Sequence, residues 1–133
     1  MAVKDFRDLL IWQKAMELAE GIYRLCQGLP SNEAFGLVSQ LRRAAVSIAS
    51  NIAEGHARQS QREFNRFLLI ARGSLAELQT QLFLVERLGY GDGGEVRDIL
   101  SHAEELGKMI RGMQKTLGST SPTLDSRLST PGS

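Results

Sequence analysis

The chain has 133 residues, of which 42% are hydrophobic and 23% charged, and it carries a net charge of +1. That fits one globular domain with a sizeable core, and it excludes a globally basic nucleic-acid binder. No apolar run approaches the roughly 18 residues needed to cross a bilayer. The N-terminus mixes Lys4, Asp5, Arg7 and Asp8 with apolar residues and lacks a signal-peptide core, so no membrane partner and a cytoplasmic location are expected. One cysteine, Cys26, excludes an intrachain disulfide and reads as a small core residue.

The spacing predicts four helices. Residues 1–8 form an N-terminal segment, and helix 1 runs from about Leu9 to Cys26 with Ile11, Ala15, Leu18, Ile22 and Leu25 on one face. Gly28, Pro30, Ser31 and Asn32 interrupt it, because proline disfavours a helical residue before it and Ser or Asn can cap the next helix. Helix 2 is expected over Ala34–Ala57. Ser60 and Glu63 have the spacing of a capping box for helix 3, which carries Phe64, Leu68, Ala71, Leu75, Leu78, Leu82 and Val85 to about Leu88. Gly89, Gly91, Gly93 and Gly94 end it. Val96, Ile99, Ala103, Leu106, Ile110, Met113 and Leu117 mark helix 4. Nothing alternates with period two, so the expected class is all-α, an up-down-up-down four-helix bundle over residues 9–117. Twelve of the sixteen residues from Gly118 to Ser133 are Gly, Ser, Thr or Pro, and that tail is expected to be disordered.

Helix 2 is specified on two faces. Leu41, Ala45, Ile48 and Ile52 form a core stripe, and beside it lies a small, polar stripe of Ala44, Ser47, Asn51 and Gly55. Small residues admit a second backbone, and a buried Asn on a seam fixes register at a cost in stability. Helix 3 contains Phe67-Leu68-Leu69-Ile70-Ala71, apolar around its whole circumference, where a stripe about 100° wide suffices for one bundle. Leu9-Leu10-Ile11-Trp12 repeats the excess in helix 1. The surplus predicts an oligomer, against the alternative of a locally thick core. Arg43, Glu54, Asn51 and Glu77 are the polar residues expected at its junction. Arg43 and Glu54 share a helix face three turns apart, and ordinary surface salt bridges are the competing reading.

Catalytic constellations are not found. Di-iron bundles use Glu-x-x-His pairs, and Ala53 and Ile99 stand where His56 and His102 would need glutamates. Asp98, His102 and Glu105 share a face and read as a solvated stripe. No nucleophilic triad motif and no phosphate-binding Gly-Lys-Ser/Thr loop occurs. No enzyme activity, metal or cofactor is expected. Arg58, Arg62 and Arg66, at i, i+4 and i+8, form a basic stripe over the helix 2–3 turn. They lie in a segment from Gly36 to Arg72 with six arginines against two glutamates, net +4 beside −3 for the remainder. The stripe is the candidate for electrostatic contact with RNA or DNA, with a solvated charged face as the alternative.

Asp8-Leu9, Trp12-Gln13-Lys14-Ala15-Met16, Phe35-Gly36-Leu37, Gln40, Arg42-Arg43-Ala44-Ala45, Ser47-Ile48 and Asn51-Ile52-Ala53-Glu54-Gly55 form a pattern. Arg58, Phe67-Leu68, Ile70-Ala71, Gly73-Ser74-Leu75 and Glu77-Leu78 continue it. The pattern, from Asp8 to about Leu117, resembles the bacterial four-helix-bundle proteins encoded in intervening sequences of 23S ribosomal RNA genes. The resemblance implies a left-handed bundle assembled into a homo-oligomeric ring, typically a homopentamer, without enzymatic activity. Related bundles include the accessory protein of diversity-generating retroelements, a basic pentamer that binds nucleic acid and the reverse transcriptase. This chain is far less basic. The expected function is therefore a self-assembling, non-enzymatic bundle with electrostatic RNA or DNA binding; the alternative is a protein-interaction scaffold without nucleic acid.

Overall fold

The structure, a computed structural model, describes residues 5–119. Four helices account for most of it: α1 (Leu10–Cys26), α2 (Leu37–Ala57), α3 (Gln61–Leu88) and α4 (Gly93–Ser119). Single 3-10 turns at Phe6–Asp8 and Ser31–Glu33 precede α1 and α2. No strand occurs among the described residues, and none of their helices is long and apolar enough to cross a membrane.

Each helix packs on two others: α1 on α2 and α4, and α3 on α2 and α4. Among the described residues no Cα atom of α1 lies within 8 Å of one of α3, and α2 with α3 is the most extensive pair. The three-and-four stripes fill the space between them. Ile22, Leu41, Ile48, Ile52, Leu68, Leu78, Leu82, Val85 and Ile110 are all fully buried. Cys26 lies in this core, where burial pushes its thiol pKa upward and away from thiolate reactivity.

Helix ends follow local hydrogen bonding, which moves several expected boundaries. Residues 34–36 do not enter α2. The carboxylate of Glu33, rather than Ser31 or Asn32, accepts from the Leu37 amide at 3.2 Å and caps the helix. Its other oxygen accepts from the Tyr90 hydroxyl at 3.1 Å, pinning the α3–α4 connection to the α1–α2 connection. The Ser60 hydroxyl accepts from the Glu63 amide at 3.2 Å, but the Glu63 carboxylate turns to arginines instead of completing the box. Gly89 ends α3 at φ 71°, a left-handed conformation that costs glycine nothing. Asp92 caps α4 by accepting from the amides of Gly94 and Glu95 at 2.8 and 3.1 Å. Helix α4 includes Gly118 and Ser119, two residues of the expected tail; the rest of that tail, and residues 1–4, lie outside the described residues.

Hydrogen bonds fix the relative heights of the helices. Ser47 meets Ser74 at 2.9 Å and Gln40 meets Gln81 at 3.5 Å, so α2 numbers rise as α3 numbers fall. Arg72 meets Gln114 at 3.0 Å and Glu86 pairs with Arg97 at 2.7 Å, giving the same opposition between α3 and α4.

Candidate functional site

The small stripe of α2 is used inside the chain. Gly55 faces α3 so closely that a Cβ added there would lie 2.5 Å from the Phe67 Cβ. Ala44 is 4% exposed. The Asn51 amide donates to the Ser47 carbonyl and hydroxyl at 2.8 and 3.0 Å, and that hydroxyl meets Ser74 across the seam. Ala44, Ser47, Asn51 and Gly55 therefore close the α2–α3 contact of one chain, and Ala44 and Gly55 have no surface to offer a second copy. Arg43 and Glu54 do not meet: Glu54 pairs with Arg58 at 3.2 Å, while Arg43 and Glu77 are exposed and form no ion pair among the described residues.

Two arginines of the basic stripe, Arg58 and Arg66, converge on one carboxylate and one ring, and their charge is largely offset. Arg66 pairs with Glu63 at 3.0 Å and Arg58 lies 4.0 Å from the same carboxylate. Hydrogen bonding from Arg66 holds the Glu63 carboxyl below the usual carboxylate range and raises the Arg66 guanidinium. Arg58 and Arg66 both stack on the Phe67 ring, 5.0 and 4.6 Å from its centroid. Arg62 has no ion pair or hydrogen bond among the described residues. Two glutamates against three arginines leave one net positive charge at the turn.

Two apolar surfaces remain on the outside. On α3, Leu69 (53% exposed), Ile70 (42%), Phe83 (48%), Leu84 (46%) and Leu88 (49%) lie along one side, with Gly73, Ala76 and Thr80 between them. Between α1 and α2 a groove of about 580 Å³ is lined chiefly by Trp12, Met16, Ala19, Tyr23, Val46 and Ala53. Its lip carries Glu20 and Arg24. Phe35, almost wholly exposed, stands before α2 at the end where Leu84 and Leu88 close the α3 stripe. Sequence reasoning missed the groove, Phe35, and Gln81, a buried polar residue (7% exposed) whose carbonyl oxygen has no hydrogen-bond partner among the described residues. Gln81 was detectable as an amide among Leu78, Leu82 and Val85; the groove needs two helices and has no one-helix signature.

A second cleft, between α1 and α4, contains Glu17, Glu20, Glu95, Asp98 and His102. Among the described residues no three His, Cys, Asp or Glu side chains are grouped to hold a metal ion.

Four helices around one core, with paired arginines at one turn and apolar flanks outside, define an all-α protein whose distinctive features are surfaces. The chain belongs to the 23S rRNA-intervening sequence protein family, whose model matches residues 7–112. It is similar to a Bacteroides thetaiotaomicron protein of unknown function from the S23 ribosomal protein family, solved by crystallography at 1.70 Å. That similarity has a TM-score of 0.74 at 27% identity and covers 80% of this chain and 99% of the other. None of the curated proteins matches this chain.

Proposed function

We propose that this chain is a non-enzymatic cytoplasmic protein that assembles with copies of itself and serves as a protein-interaction scaffold. One observation carries the reading: five large apolar side chains, Leu69, Ile70, Phe83, Leu84 and Leu88, are exposed on the outer side of α3, and apolar groups left outside in this way mark interaction sites. The monomer is an up-down-up-down bundle in this proposal, supported by the opposed registers of α2 on α3 and of α3 on α4. Its left-handed twist, its closure into a ring, a pentamer at that, and its relation to the retroelement accessory protein rest on the family resemblance. The junction uses Arg43, Glu54, Leu69, Ile70 and Glu77, with Ala44, Ser47, Asn51 and Gly55 supporting it from within the α2–α3 seam.

Size exclusion with light scattering, read at 260 and 280 nm together, tests the assembly. A mass several times that of the monomer supports it, and a monomer at every concentration refutes it. Electrostatic RNA or DNA binding is the second reading, favoured by the exposed cluster of Arg58, Arg62 and Arg66. A 23S rRNA fragment is the natural probe, given the family's name. Reversing all three charges abolishes salt-sensitive binding on this reading; unchanged binding removes the stripe from it.

A further inference from the structure

We infer that the contact between copies is head-to-tail: the α3 ridge of one chain seats in the α1–α2 groove of the next. This rests on the self-assembly reading and names the partner surface for it. The two apolar surfaces are different in shape and lie on different flanks, one on α3 and one between α1 and α2. From Leu69 to Leu88 the ridge is about 28 Å long, and at a helix width of about 10 Å it projects roughly 300 Å². A stable contact covers about 800 Å² per partner. A groove wraps the flanks of the helix as well as its crest, and so covers more of that area than a second ridge can.

The heights agree when neighbouring chains stand side by side in the same direction. Ser47 is level with Ser74 and Gln40 with Gln81, so Val46 is level with Leu75 and Arg43 with Leu78. The Arg42 guanidinium lies 4.9 Å from the centre of the Tyr23 ring, which puts Tyr23 level with Gln79. Val46 therefore faces the ridge between Gly73 and Ala76, and Tyr23 faces it around Ala76 and Thr80, where the ridge is small. Large Leu69, Ile70, Phe83 and Leu84 fall to either side of them. Charge matches too. Glu77 lies on the ridge and Arg24 on the groove's lip, about 4–5 Å apart in height, and neither forms an ion pair among the described residues. In one chain α1 and α3 lie diagonally across the bundle, each between α2 and α4, so a coupling of exposed Arg24 to exposed Glu77 is one between chains. Two unlike surfaces that meet this way close into rings or run on as filaments, unlike the self-complementary patch of a two-fold dimer.

Two variants separate the surfaces. Gly73→Leu blocks the ridge, and a Cβ there meets nothing within 4 Å in the single chain, so the helix is preserved. Val46→Glu puts a carboxylate in the groove from a position already 44% exposed. Each variant alone is expected to be monomeric by light scattering, and their equimolar mixture to form a 1:1 dimer, because one intact ridge and one intact groove remain. Either variant keeping the wild-type mass, or a mixture that stays monomeric, overturns the contact. Circular dichroism of each variant checks its fold. Independently, Glu77→Arg is expected to weaken association more than about tenfold, and Glu77→Arg with Arg24→Glu to restore it; failure of the double variant to regain mass overturns the register. A monomeric wild-type protein refutes self-assembly itself. An assembled wild type that survives both single substitutions refutes only this geometry.

Discussion

Two glycines on facing helices are expected to respond oppositely to the same methyl group. Glycine inside a helix costs about 1 kcal/mol relative to alanine, so Gly→Ala at either position begins with that gain. At Gly73 a Cβ has nothing within 4 Å, and the gain is kept: about 0.5–1 kcal/mol of added stability. At Gly55 the Cβ lands 2.5 Å from the Phe67 Cβ, 3.2 Å from the Phe64 Cδ1 and 3.3 Å from the Phe67 Cγ. Carbon atoms in contact sit about 3.5–4.0 Å apart, so something must move by about 1 Å. The Phe67 Cβ is bonded to its backbone and cannot swing aside. Phe64 and Phe67 are 8% and 6% exposed and have nowhere to turn. The shift must open α2 from α3 along their shared seam. Overpacking costs about 1–3 kcal/mol, and a Cβ fixed to its backbone puts this site in the upper part of that range, about 2–3 kcal/mol, which leaves Gly55→Ala about 1–2 kcal/mol less stable than the native chain after the propensity gain. In a domain of this size that is a fall of roughly 4–8 °C in Tm, against a rise of roughly 2–4 °C for Gly73→Ala. Thermal and urea unfolding by circular dichroism, with both substitutions placed in the Val46→Glu background so that contact between copies does not enter, reads both. A Gly55→Ala variant that melts at or above the native protein refutes the close-approach argument.

Asp92→Ala removes both amide acceptors at the start of α4 and should lower stability by about 1 kcal/mol in urea denaturation, with Asp92→Ser recovering most of it. Glu63→Gln releases Arg58 and Arg66 from their shared carboxylate, so if the turn binds RNA, retention on a 23S rRNA fragment should strengthen and its salt slope steepen. Because the folded Glu63 pKa lies below its unfolded value, the stability this pairing contributes is present above about pH 4 and disappears as pH falls through the folded value; acid titration of Glu63→Gln should lack that component. Tyr90 is the opposite case. Donation to Glu33 raises its folded pKa, so its contribution is present below about pH 10 and lost on further alkalisation, and Tyr90→Phe should remove a raised phenolate titration from the absorbance curve.

Much of the fold was legible because one residue's neighbours at three and four positions decide its burial. Phe64, Leu68, Ala71, Leu75, Leu78, Leu82 and Val85 are all buried, and the break after Leu88 is the left-handed Gly89. The start of α2 was not legible. Ser31 and Asn32 are ordinary capping residues, but the acceptor used is Glu33, chosen because it also reaches Tyr90, fifty-seven residues away. The same limit applies to Asn51 and Gly55. Small and polar residues beside a core stripe announce a close neighbour without saying whether it is α3 of the same chain or a helix of another. In the folded chain Asn51 bonds to Ser47 and, through it, reaches Ser74, while Phe67 lies against the glycine.

The charge count of the α2–α3 segment and its geometry lead to different weights for the two functional readings. By composition the segment is +4. In three dimensions Glu54 and Glu63 pair with two of the three arginines at the turn, and Phe67 lies beneath both of those guanidinium groups. Exposed pairs of this kind contribute little stability, so their consequence is mainly for recognition: a phosphate would have to displace a carboxylate before it met Arg58 or Arg66. Arg62 alone meets no such competition. The apolar excess has no comparable offset. Leu68 and Ala71 are taken by the core, whereas Leu69 and Ile70 stay outside beside Gly73; on α1, Ile11 goes inward while Trp12 turns to the groove. Leu69 and Ile70 therefore end on the ridge and Trp12 in the groove, while Leu10, 58% exposed, lies outside both. If a second copy covers the ridge and the groove, as proposed above, apolar area leaves water on both partners, a gain with no counterpart at a turn where two of the three arginines are paired.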